Sequence, residues 1–403
     1  MKVLQINMTD MFSTGNIMLN IAKKTRERGH EAYTISKKTK MSLDQKRQDP
    51  LHTYIGTRTE HTIHRCFSWI TDLQDYGSVI STYELIRKIE KIKPDIIHLH
   101  DIVGWYVNIG ILFKFLKNYN KPIVWTFHDC WAFTGRCIHF DAAKCDRWKT
   151  GCGQCPQISY MPKSWYFDLS AHNWRRKNRL FNSIDNLTIV CPSMWLKELT
   201  SNSFLSSHKC LTINNGINLE TFKPTTGDTY SKLKSLNKKI VIGVASTWST
   251  RKGLYDFIEL SKRLPDSHQI VLVGISKEEL NCEHIIAYKR TTNQKELAEI
   301  YTAADVFANP TTEDNFPTVN LEALACGTPI VTYRTGGSPE SVDDKTGIIV
   351  EQGNLGQMLD AILCVTNNGK EYYSNACIEK SKKYDMNARF NDYVNLYEEI
   401  LQQ

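Results

Sequence analysis

Short apolar runs alternate with amphipathic, helix-like segments along the first half of the chain, and this order strongly limits the folds it can adopt. The first apolar run is at 3–7, and the helical segment after it ends at Gly29, a residue suited to a helix C-terminus. Four more apolar runs follow, at 32–35, 96–99, 123–127 and 187–190. Strands of a parallel sheet with helices on both faces are buried on both sides, so they read as short, continuous apolar runs. The pattern predicts an α/β fold with a doubly wound parallel sheet.

The same alternation stops and then starts again. Residues 222–239 are polar, and six further apolar runs follow them, at 240–245, 269–273, 285–288, 306–309, 330–333 and 348–350. We therefore predict two Rossmann-like domains, at 1–222 and 239–385, joined by a linker near 223–238. The last segment, 386–403, is predicted to be a helix that packs back on the first domain. Ligands of such sheets bind at the carboxyl ends of the strands, so the two domains are expected to face each other across a ligand-binding cleft.

Composition indicates where such a protein works. Hydrophobic residues make up 41% and charged residues 23% of the 403 residues, which is typical of a soluble protein. The chain has no apolar run of about 18 residues that would span a membrane. Its first residues lack the apolar core of a signal peptide. We expect a cytoplasmic protein, with peripheral contact at the cytoplasmic face of the membrane as a further option.

The positive charge of the chain is unevenly distributed. Nine of the basic residues lie between Lys23 and Arg47, against three acids, although the net charge is only +7. A solvated helix face explains such a run, and so does attraction to anionic lipid headgroups or to a phosphate-bearing acceptor. No nucleic-acid partner is predicted, because the sequence has no compact basic motif interleaved with aromatic residues.

Two segments of the second domain have the residues of an anion site. In the first, a strand ends near Ala245 and Lys252 with Gly253 opens a helix, which places a cation beside helix N–H groups. In the second, EDNFPTVNLEALACGTPI at 313–330, Pro317 suits the first turn of a helix, and the amides at 316–319 would favour an anion. An exposed basic pair and an ordinary helix start are the alternative interpretations.

Two carboxylates flank this helix start. Asp314 precedes the helix, and Glu322 lies one turn inside it. Beside a bound diphosphate, Glu322 could accept hydrogen bonds from a ribose diol, and Asp314 could accept them from hexose hydroxyls. The alternatives are a solvated helix residue for Glu322 and a helix-start acid for Asp314.

In combination, these segments resemble the retaining glycosyltransferases of family 4, which have the two-domain GT-B fold. The family signature is an acid, seven residues, and a second acid that begins Glu-Ala-x-Ala-x-Gly-x-Pro, and here it corresponds to Asp314 followed by 322–329. Other segments fit the same family over nearly the whole chain: Asn215-Gly216-Ile217-Asn218 with Phe222 and Pro224, Lys252-Gly253, Gly336-Gly337-Ser338-Pro339-Glu340, the loop Ser13-Thr14-Gly15, and Phe127-His128-Asp129 at a strand end.

The resemblance implies roles for individual residues. Lys252 would bind the donor phosphate, Glu322 the ribose and Asp314 the donor sugar. His128, with Asp129 beside it, would lie near the transferred sugar. The resemblance also implies further donor-binding residues: Thr247, Arg251, Asn315, Phe316, Pro317 and Thr318. On the acceptor side it implies the loop Ser13, Thr14 and Gly15.

The sequence departs from the family at two of these positions. The first acid of the signature is usually Glu, whereas this chain has the shorter Asp314. An arginine is common five residues before the phosphate-binding lysine, but Thr247 occupies that place. Arg251 is the nearest cation that would compensate for its absence.

The implied reaction is the transfer of a hexose from a UDP- or GDP-linked donor, with retention, to a growing lipid-linked glycan of a capsule or exopolysaccharide, as in colanic-acid-type transferases. Because the sequence has no Asp-x-Asp triplet, we expect catalysis without a divalent metal. A nucleotide-sugar epimerase of the same fold and a catalytically silent partner of an active transferase are the alternatives.

A cysteine cluster follows His128 in an insertion at 130–165. Cys137, Cys145, Cys152 and Cys155 have the spacing C-x7-C-x6-C-x2-C. Four thiols that end in a Cys-x-x-Cys turn suit a tetrahedral structural zinc ion. Reduced free thiols and disulfides are the other interpretations. Cys-rich insertions of this kind resemble those of many polysaccharide-forming members of the family.

Overall fold

The computed structural model describes residues 1–39, 49–160, 162–280, 282–291 and 293–402. The chain forms two compact units. The first contains Met1–Asn214 and Arg389–Gln403, and the second contains Asn215–Ala388. Each unit has one sheet in which every described strand pair is parallel. The predicted α/β class with two doubly wound sheets is confirmed.

The sheet of the first unit has seven strands among the described residues, in the order β3-β2-β1-β4-β5-β6-β7. The strands are β1 (Lys2–Asn7), β2 (Glu31–Lys37), β3 (His52–Ile55), β4 (Ile96–Leu99), β5 (Ile123–Thr126), β6 (Leu187–Cys191) and β7 (Lys209–Thr212). The sequence predicted the five inner strands but not β3 and β7. These two lie at the edges of the sheet, and their sequences, HTYI and KCLT, lack the continuous apolar run of a central strand.

Among the described residues, six helices of the first unit precede its last strand. They are α1 (Phe12–Glu27), α2 (Arg58–Thr71), α3 (Val79–Ile92), α4 (Ile109–Tyr119), α5 (Ser170–Phe181) and α6 (Met194–Ser201). Gly29, which follows α1, has φ +80°, and the next amide, of His30, donates to the Thr25 carbonyl at 3.2 Å. The left-handed conformation ends the helix, as predicted.

The sheet of the second unit has six strands in the part of the chain described, in the order β10-β9-β8-β11-β12-β13. They are β8 (Lys239–Val244), β9 (His268–Val273), β10 (Ile285–Tyr288), β11 (Val306–Asn309), β12 (Ile330–Tyr333) and β13 (Gly347–Val350). The helices after β7 are α7 (Asp228–Lys234), α8 (Leu254–Arg263), α9 (Lys277–Leu280), α10 (Gln294–Ala303), α11 (Thr318–Ala325), α12 (Leu355–Asn368), α13 (Lys370–Ser381) and α14 (Met386–Gln402). Among the residues described, no helix is both long and apolar enough to cross a membrane.

The segment interpreted as a linker is an ordered part of the second unit. It contains α7, and the Thr229 amide donates to Glu299 Oε2 of α10 at 3.1 Å. The Thr225 amide donates to Thr302 Oγ1 of the same helix at 3.0 Å. Residues 215–222 also lie in this unit, where the Ile217 amide donates to the Tyr384 carbonyl at 2.8 Å. These contacts depend on partners far along the chain, so composition alone did not reveal them.

From Arg389 onward, α14 belongs to the first unit. The Tyr397 hydroxyl is 2.5 Å from His98 Nδ1 of β4, and Thr126 Oγ1 of β5 donates to the Tyr393 hydroxyl at 3.3 Å. All four side chains are buried, and burial lowers the pKa of His98 well below its ordinary value. Two tyrosines of α14 therefore provide polar partners for side chains inside the first sheet.

Replacing Tyr397 by Phe is expected to lower the free energy of unfolding by about 1–3 kcal/mol, because His98 Nδ1 loses its buried partner. The midpoint of urea unfolding measures the loss. Tyr393→Phe is the matched control: Thr126 keeps its 2.8 Å hydrogen bond to His98 Nε2, so we expect a smaller shift. Equal shifts in the two variants would contradict this account.

Candidate active site

In the second unit, three loops meet at the carboxyl edge of the sheet. β8 pairs with β11, and β11 pairs with β12, all in parallel, so the loops that follow these strands are neighbours. The loop after β8 contains Lys252, the loop after β11 contains Asp314, and the loop after β12 contains Gly336. Ligand sites of doubly wound sheets form at this edge.

The first two loops are joined by an ion pair. Lys252 Nζ donates to Asp314 Oδ2 at 2.6 Å, and the side chains are 23% and 17% exposed. The Arg251 guanidinium donates to the Glu313 carbonyl at 2.9 Å, and the Thr312 amide donates to the Arg251 carbonyl at 2.9 Å. Charge-assisted hydrogen bonds that are partly shielded from water are strong, so the pair holds the two loops together. The sequence predicted both residues in the site but not their contact.

Gly336 allows the third loop to close on Asp314. Its φ is +54°, and a Cβ there would lie 1.8 Å from the Asp314 carbonyl oxygen. The next amide, of Gly337, donates to the same oxygen at 3.2 Å. A larger side chain at 336 would therefore displace the Asp314 backbone, which explains the glycine at this position.

The helix start predicted at Pro317 is present. Pro317 is the N-cap of α11, and Thr318 and Val319 begin the helix, where the amides of the first turn have no intrahelical acceptor. The buried Phe316 precedes them, and its carbonyl accepts a hydrogen bond from Asn215 Nδ2 at 3.1 Å. Asn315 is also buried. These contacts fix the direction in which the helix N-terminus points.

Glu322 is half-buried one turn into α11. Burial raises its pKa to about 7, although the Tyr301 hydroxyl donates to Oε2 at 2.9 Å and acts in the opposite direction. Tyr301 belongs to α10 and is fully buried. A solvated helix residue would not have these surroundings, and nothing in the local sequence indicated Tyr301 as the partner.

Thr247 lies in the exposed part of the loop after β8. Its neighbour Trp248 is anchored, because the indole Nε1 donates to the Val273 carbonyl at 3.0 Å. The predicted substitute cation, Arg251, uses one nitrogen for the Glu313 carbonyl. A guanidinium has five N–H donors, so this contact does not use up its hydrogen-bonding capacity.

In the first unit, the predicted pair His128 and Asp129 follows β5. His128 Nε2 lies 3.1 Å from His100 Nδ1, and the two rings stack with centroids 5.4 Å apart. Asp129 Oδ1 accepts from the Trp131 amide at 2.8 Å. Burial lowers the pKa of His128, whereas burial and the Asp101 carboxylate raise the pKa of Asp129. Both shifts favour the uncharged forms.

His100 and Asp101 are candidate site residues that the sequence interpretation missed. They follow β4, the strand beside β5, so they lie at the same sheet edge as His128. His128 was predicted because ligand sites form at the carboxyl ends of strands. The same reasoning applies to His100 and Asp101, because the run 96–99 is followed directly by His-Asp.

The predicted loop at Ser13, Thr14 and Gly15 is wrong as secondary structure. These residues form the first turn of α1, and the Gly15 amide donates to the Met11 carbonyl at 3.2 Å. A Cβ at Gly15 would lie 2.4 Å from the Asp10 carbonyl carbon, so glycine lets this turn contact the preceding backbone. Asn7 Nδ2 donates to Thr14 Oγ1 at 3.3 Å, which keeps the turn at the end of β1.

The Cys-rich insertion does not support the zinc interpretation. In the described part of the chain, no group of three or more His, Cys, Asp or Glu side chains could hold a metal ion, and the four cysteines are free thiols. Cys137 hydrogen-bonds to Cys155, while Cys152 Sγ accepts from the Gly135 amide at 3.2 Å. Hydrogen bonds to a second thiol and to the backbone thus involve Cys137, Cys155 and Cys152.

Other residues hold the insertion in place. Arg136 Nε lies 3.1 Å from Asp72 Oδ1, with both side chains buried, and Arg136 NH1 donates to the Ile158 carbonyl at 2.9 Å. The ring of Trp148 contacts Phe140, with centroids 5.2 Å apart. A buried ion pair and aromatic packing therefore fix the segment, a combination that cysteine spacing could not indicate.

Comparison with known families agrees with this geometry. The family model described as Glycosyltransferase Family 4 matches residues 14–221, which is more than half of the chain. The chain belongs to glycosyltransferase family 4. A second family model, Glycosyl transferases group 1, matches residues 238–368 of this family 4 glycosyltransferase.

Two curated proteins illustrate the relationship. The chain is 24% identical over 334 residues to WcaC of Escherichia coli (strain K12), named as a colanic acid biosynthesis glycosyl transferase, covering 79% of this chain and 80% of WcaC. It is also 24% identical over 323 residues to the sulfoquinovosyl transferase SQD2 of Arabidopsis thaliana, covering 75% of this chain and 56% of SQD2.

Solved structures share the fold. Sucrose-phosphate synthase from Thermosynechococcus elongatus aligns with a TM-score of 0.72 at 15% identity, covering 100% of this chain and 99% of that one. Anabaena HepE in complex with UDP and glucose aligns with a TM-score of 0.69 at 16% identity, covering 99% and 100%. The predicted GT-B fold is confirmed.

Proposed function

We propose that this family 4 glycosyltransferase transfers a hexose from a UDP- or GDP-linked donor, with retention at the anomeric carbon, to a growing lipid-linked polysaccharide. The observation that carries the proposal is the arrangement around α11: the Lys252–Asp314 pair lies beside the loop that leads into this helix, and Glu322 lies one turn inside it. Cation, helix amides and two carboxylates are the groups that a nucleotide sugar requires.

Each group has a part in this proposal. Lys252 and the first-turn amides of α11 hold the diphosphate and stabilise the charge that develops on it as the glycosidic bond breaks. Asp314 accepts hydrogen bonds from the donor sugar, and Glu322 accepts them from the ribose diol. Because Lys252 and the helix N-terminus provide positive charge at the leaving group, we expect the reaction to proceed without a catalytic divalent metal.

The assignment of the donor draws on HepE, whose solved structures contain UDP with glucose and UDP-glucose. We place His128 and Asp129 of the first unit next to the transferred sugar, and Thr14 at the end of β1 on the acceptor side. The uncharged His128 favoured by burial suits contact with a neutral hexose.

The assignment of the acceptor draws on WcaC, which is named for colanic acid biosynthesis. We infer from this name an acceptor glycan carried on a lipid, and the proposal therefore includes work in the cytoplasm at the membrane face. The donor base, the hexose and the linkage are the properties that a first activity screen would identify.

The deciding experiment incubates the purified protein with UDP- and GDP-hexoses, with and without extracted lipid-linked oligosaccharides. We expect release of nucleoside diphosphate to rise at least about tenfold when acceptor is added, with a product of retained configuration. Conversion of the donor without acceptor would indicate an epimerase. Donor binding, seen as a raised melting temperature, without any turnover would indicate a catalytically silent partner.

A further inference from the structure

Helix α2 of the first unit is oriented with its apolar face outward. Its buried residues are His61, His64 and Ser68. Ile63, Phe67 and Ile70 are exposed, Ile63 to 64%, and they recur at the spacing of a single helical stripe. A surface helix normally turns such a stripe towards the core, so the opposite orientation calls for an explanation.

The inner, polar face of α2 is well bonded. The Gly77 amide donates to His64 Nε2 at 3.1 Å, and His64 Nδ1 lies 2.9 Å from Ser78 Oγ. Burial lowers the pKa of His64 to about 4, so the ring is neutral where it is buried. Thr57 Oγ1 caps the helix by accepting from the Glu60 amide at 3.2 Å. Rotating α2 to bury its apolar stripe would break these bonds, so its orientation is fixed by its partners.

The apolar stripe continues onto neighbouring segments at both ends of α2. At its C-terminal end, the Trp165 amide donates to the Trp69 carbonyl at 2.7 Å, and the two rings are 5.5 Å apart. At its N-terminal end, Glu60 Oε1 accepts from the Ile80 amide at 2.9 Å. The residues that form this α2 surface are all exposed: Ile63, Phe67, Ile70, Ile80, Tyr83, and 165–167. Single exposed apolar residues are common, but a continuous cluster of this size marks an interaction site.

Cations are stacked on the aromatic rings of the α2 surface. Lys163 Nζ is 4.3 Å from the centroid of the Trp69 ring and 5.3 Å from that of Trp165, and the Arg65 guanidinium is 5.1 Å from Trp69. Glu60 is the one acid in the α2 sequence, and it is engaged by the Ile80 and Ser81 amides. Aromatic rings with basic side chains beside exposed aliphatic residues are typical of segments at the interface of an anionic bilayer.

We propose that the α2 surface docks on a membrane whose headgroups are anionic, with its aliphatic and aromatic side chains in the interfacial region. This deepens the proposed function, since a lipid-linked acceptor lies at a membrane, but it concerns binding and not sugar transfer. The proposal thus places the membrane contact on the α2 surface and not on the basic residues at 23–47, which the sequence analysis had considered. Within that run, Arg26 pairs with Asp49 at 2.8 Å and Arg28 with Glu398 at 2.8 Å. Lys40, Lys46 and Arg47 lie outside the described residues.

The test is partitioning of the full chain, without nucleotide sugar, onto vesicles of phosphatidylcholine containing about one third phosphatidylglycerol. We expect the wild-type protein to bind these vesicles and the triple variant Ile63→Ser, Phe67→Ser, Ile70→Ser to bind at least about tenfold more weakly. The matched control removes three exposed apolar side chains elsewhere: Leu236→Ser, Tyr372→Ser, Leu401→Ser. We expect it to bind like the wild type.

A second set of variants tests how much the basic side chains contribute to vesicle binding. Arg65→Glu with Lys163→Glu is expected to reduce binding to the phosphatidylglycerol vesicles and to remove its dependence on salt. Replacing the exposed Arg179 of α5 by Glu should change neither the binding to these vesicles nor its dependence on salt. Melting temperatures equal to that of the wild type verify that each variant is folded, and they depend on neither vesicles nor nucleotide.

Three results would overturn the proposal. They are a wild-type protein that stays in solution with anionic vesicles, a triple variant that binds as tightly as the wild type, and a wild-type dimer that the triple variant converts to a monomer. The last result would assign the surface to contact between copies of the chain. Because vesicle binding is measured without donor, a failure of sugar transfer leaves this test intact, and the reverse also holds.

Discussion

Replacing Glu322 by Ala is expected to reduce sugar transfer by about a thousandfold, because two charge-assisted hydrogen bonds of roughly 1.5–3 kcal/mol each would be lost from the ribose diol. Initial rates at saturating acceptor measure the effect. Glu371→Ala, which changes an exposed glutamate of α13 in the same unit, is the matched control and should retain full activity. Wild-type turnover in the Glu322→Ala variant would show that Glu322 does not bind the donor.

The raised pKa of Glu322 provides a second measurement on the same residue. With a pKa of about 7, the side chain is mostly protonated at pH 6 and mostly ionised at pH 8. If the ionised form binds the ribose, UDP affinity should fall about tenfold as the pH is lowered across this window. Glu322→Gln should show a much flatter profile. An equally steep profile in that variant would assign the change to titration of the diphosphate itself.

The stability of the unliganded protein should depend on pH in the opposite direction. The folded pKa of Glu322 is raised above its ordinary value of 4.5, so the folded state binds more protons than the unfolded state between the two values. The contribution of Glu322 to stability is present at low pH and is lost as the pH rises through about 7. UDP affinity would therefore increase over the range in which the unliganded protein becomes less stable.

Replacing Lys252 by Ala is expected to weaken UDP binding by about a hundredfold and transfer by about a thousandfold, because the diphosphate loses a cation that matters most as charge develops on the leaving group. Isothermal titration measures the loss of UDP affinity, and initial rates measure the loss of sugar transfer. Lys262→Ala, at an exposed position of α8, is the control for loss of a lysine in the same unit.

Replacing Asp314 by Asn separates the two members of the ion pair. UDP contains no hexose, so its affinity should stay the same or increase, since Lys252 is released from its 2.6 Å contact with Asp314. Transfer should nevertheless fall about a hundredfold, because the donor sugar loses a charged acceptor. A large loss of UDP affinity in Asp314→Asn would mean that the carboxylate mainly positions Lys252. Asp314→Glu then tests whether the longer acid usual in the family is tolerated.

Local sequence was sufficient for the central strands. All six described strands of the second sheet, at its edges as well as in its centre, lie within one residue of their predicted ends, because each reads as a short, mostly apolar run in the sequence. The strands β3 (HTYI) and β7 (KCLT) of the first sheet were missed because their sequences contain no such run. The helix start at Pro317 and the termination of α1 near Gly29 were also predicted, because both depend on backbone restrictions of single residues.

Spacing alone was misleading for the cysteine insertion. Four thiols at metal-like intervals favoured zinc, but Arg136 and Asp72 form the buried contact that fixes the segment. The partner of Arg136 is 64 positions away in the sequence, in the turn after α2. Only the folded chain shows which polar group reaches which.

The sequence by itself determined most of the segments that become strands and helices, and which residue types stand at the ends of the strands. Tertiary structure decided which of them meet: Lys252 and Asp314 are 62 residues apart and form a 2.6 Å contact. It also decided which face of α2 points outward. Periodicity defines the two faces of a helix, but which face is buried depends on partners elsewhere in the chain. In α2, Gly77 and Ser78 bind His64 on the inner face, which leaves the apolar stripe exposed.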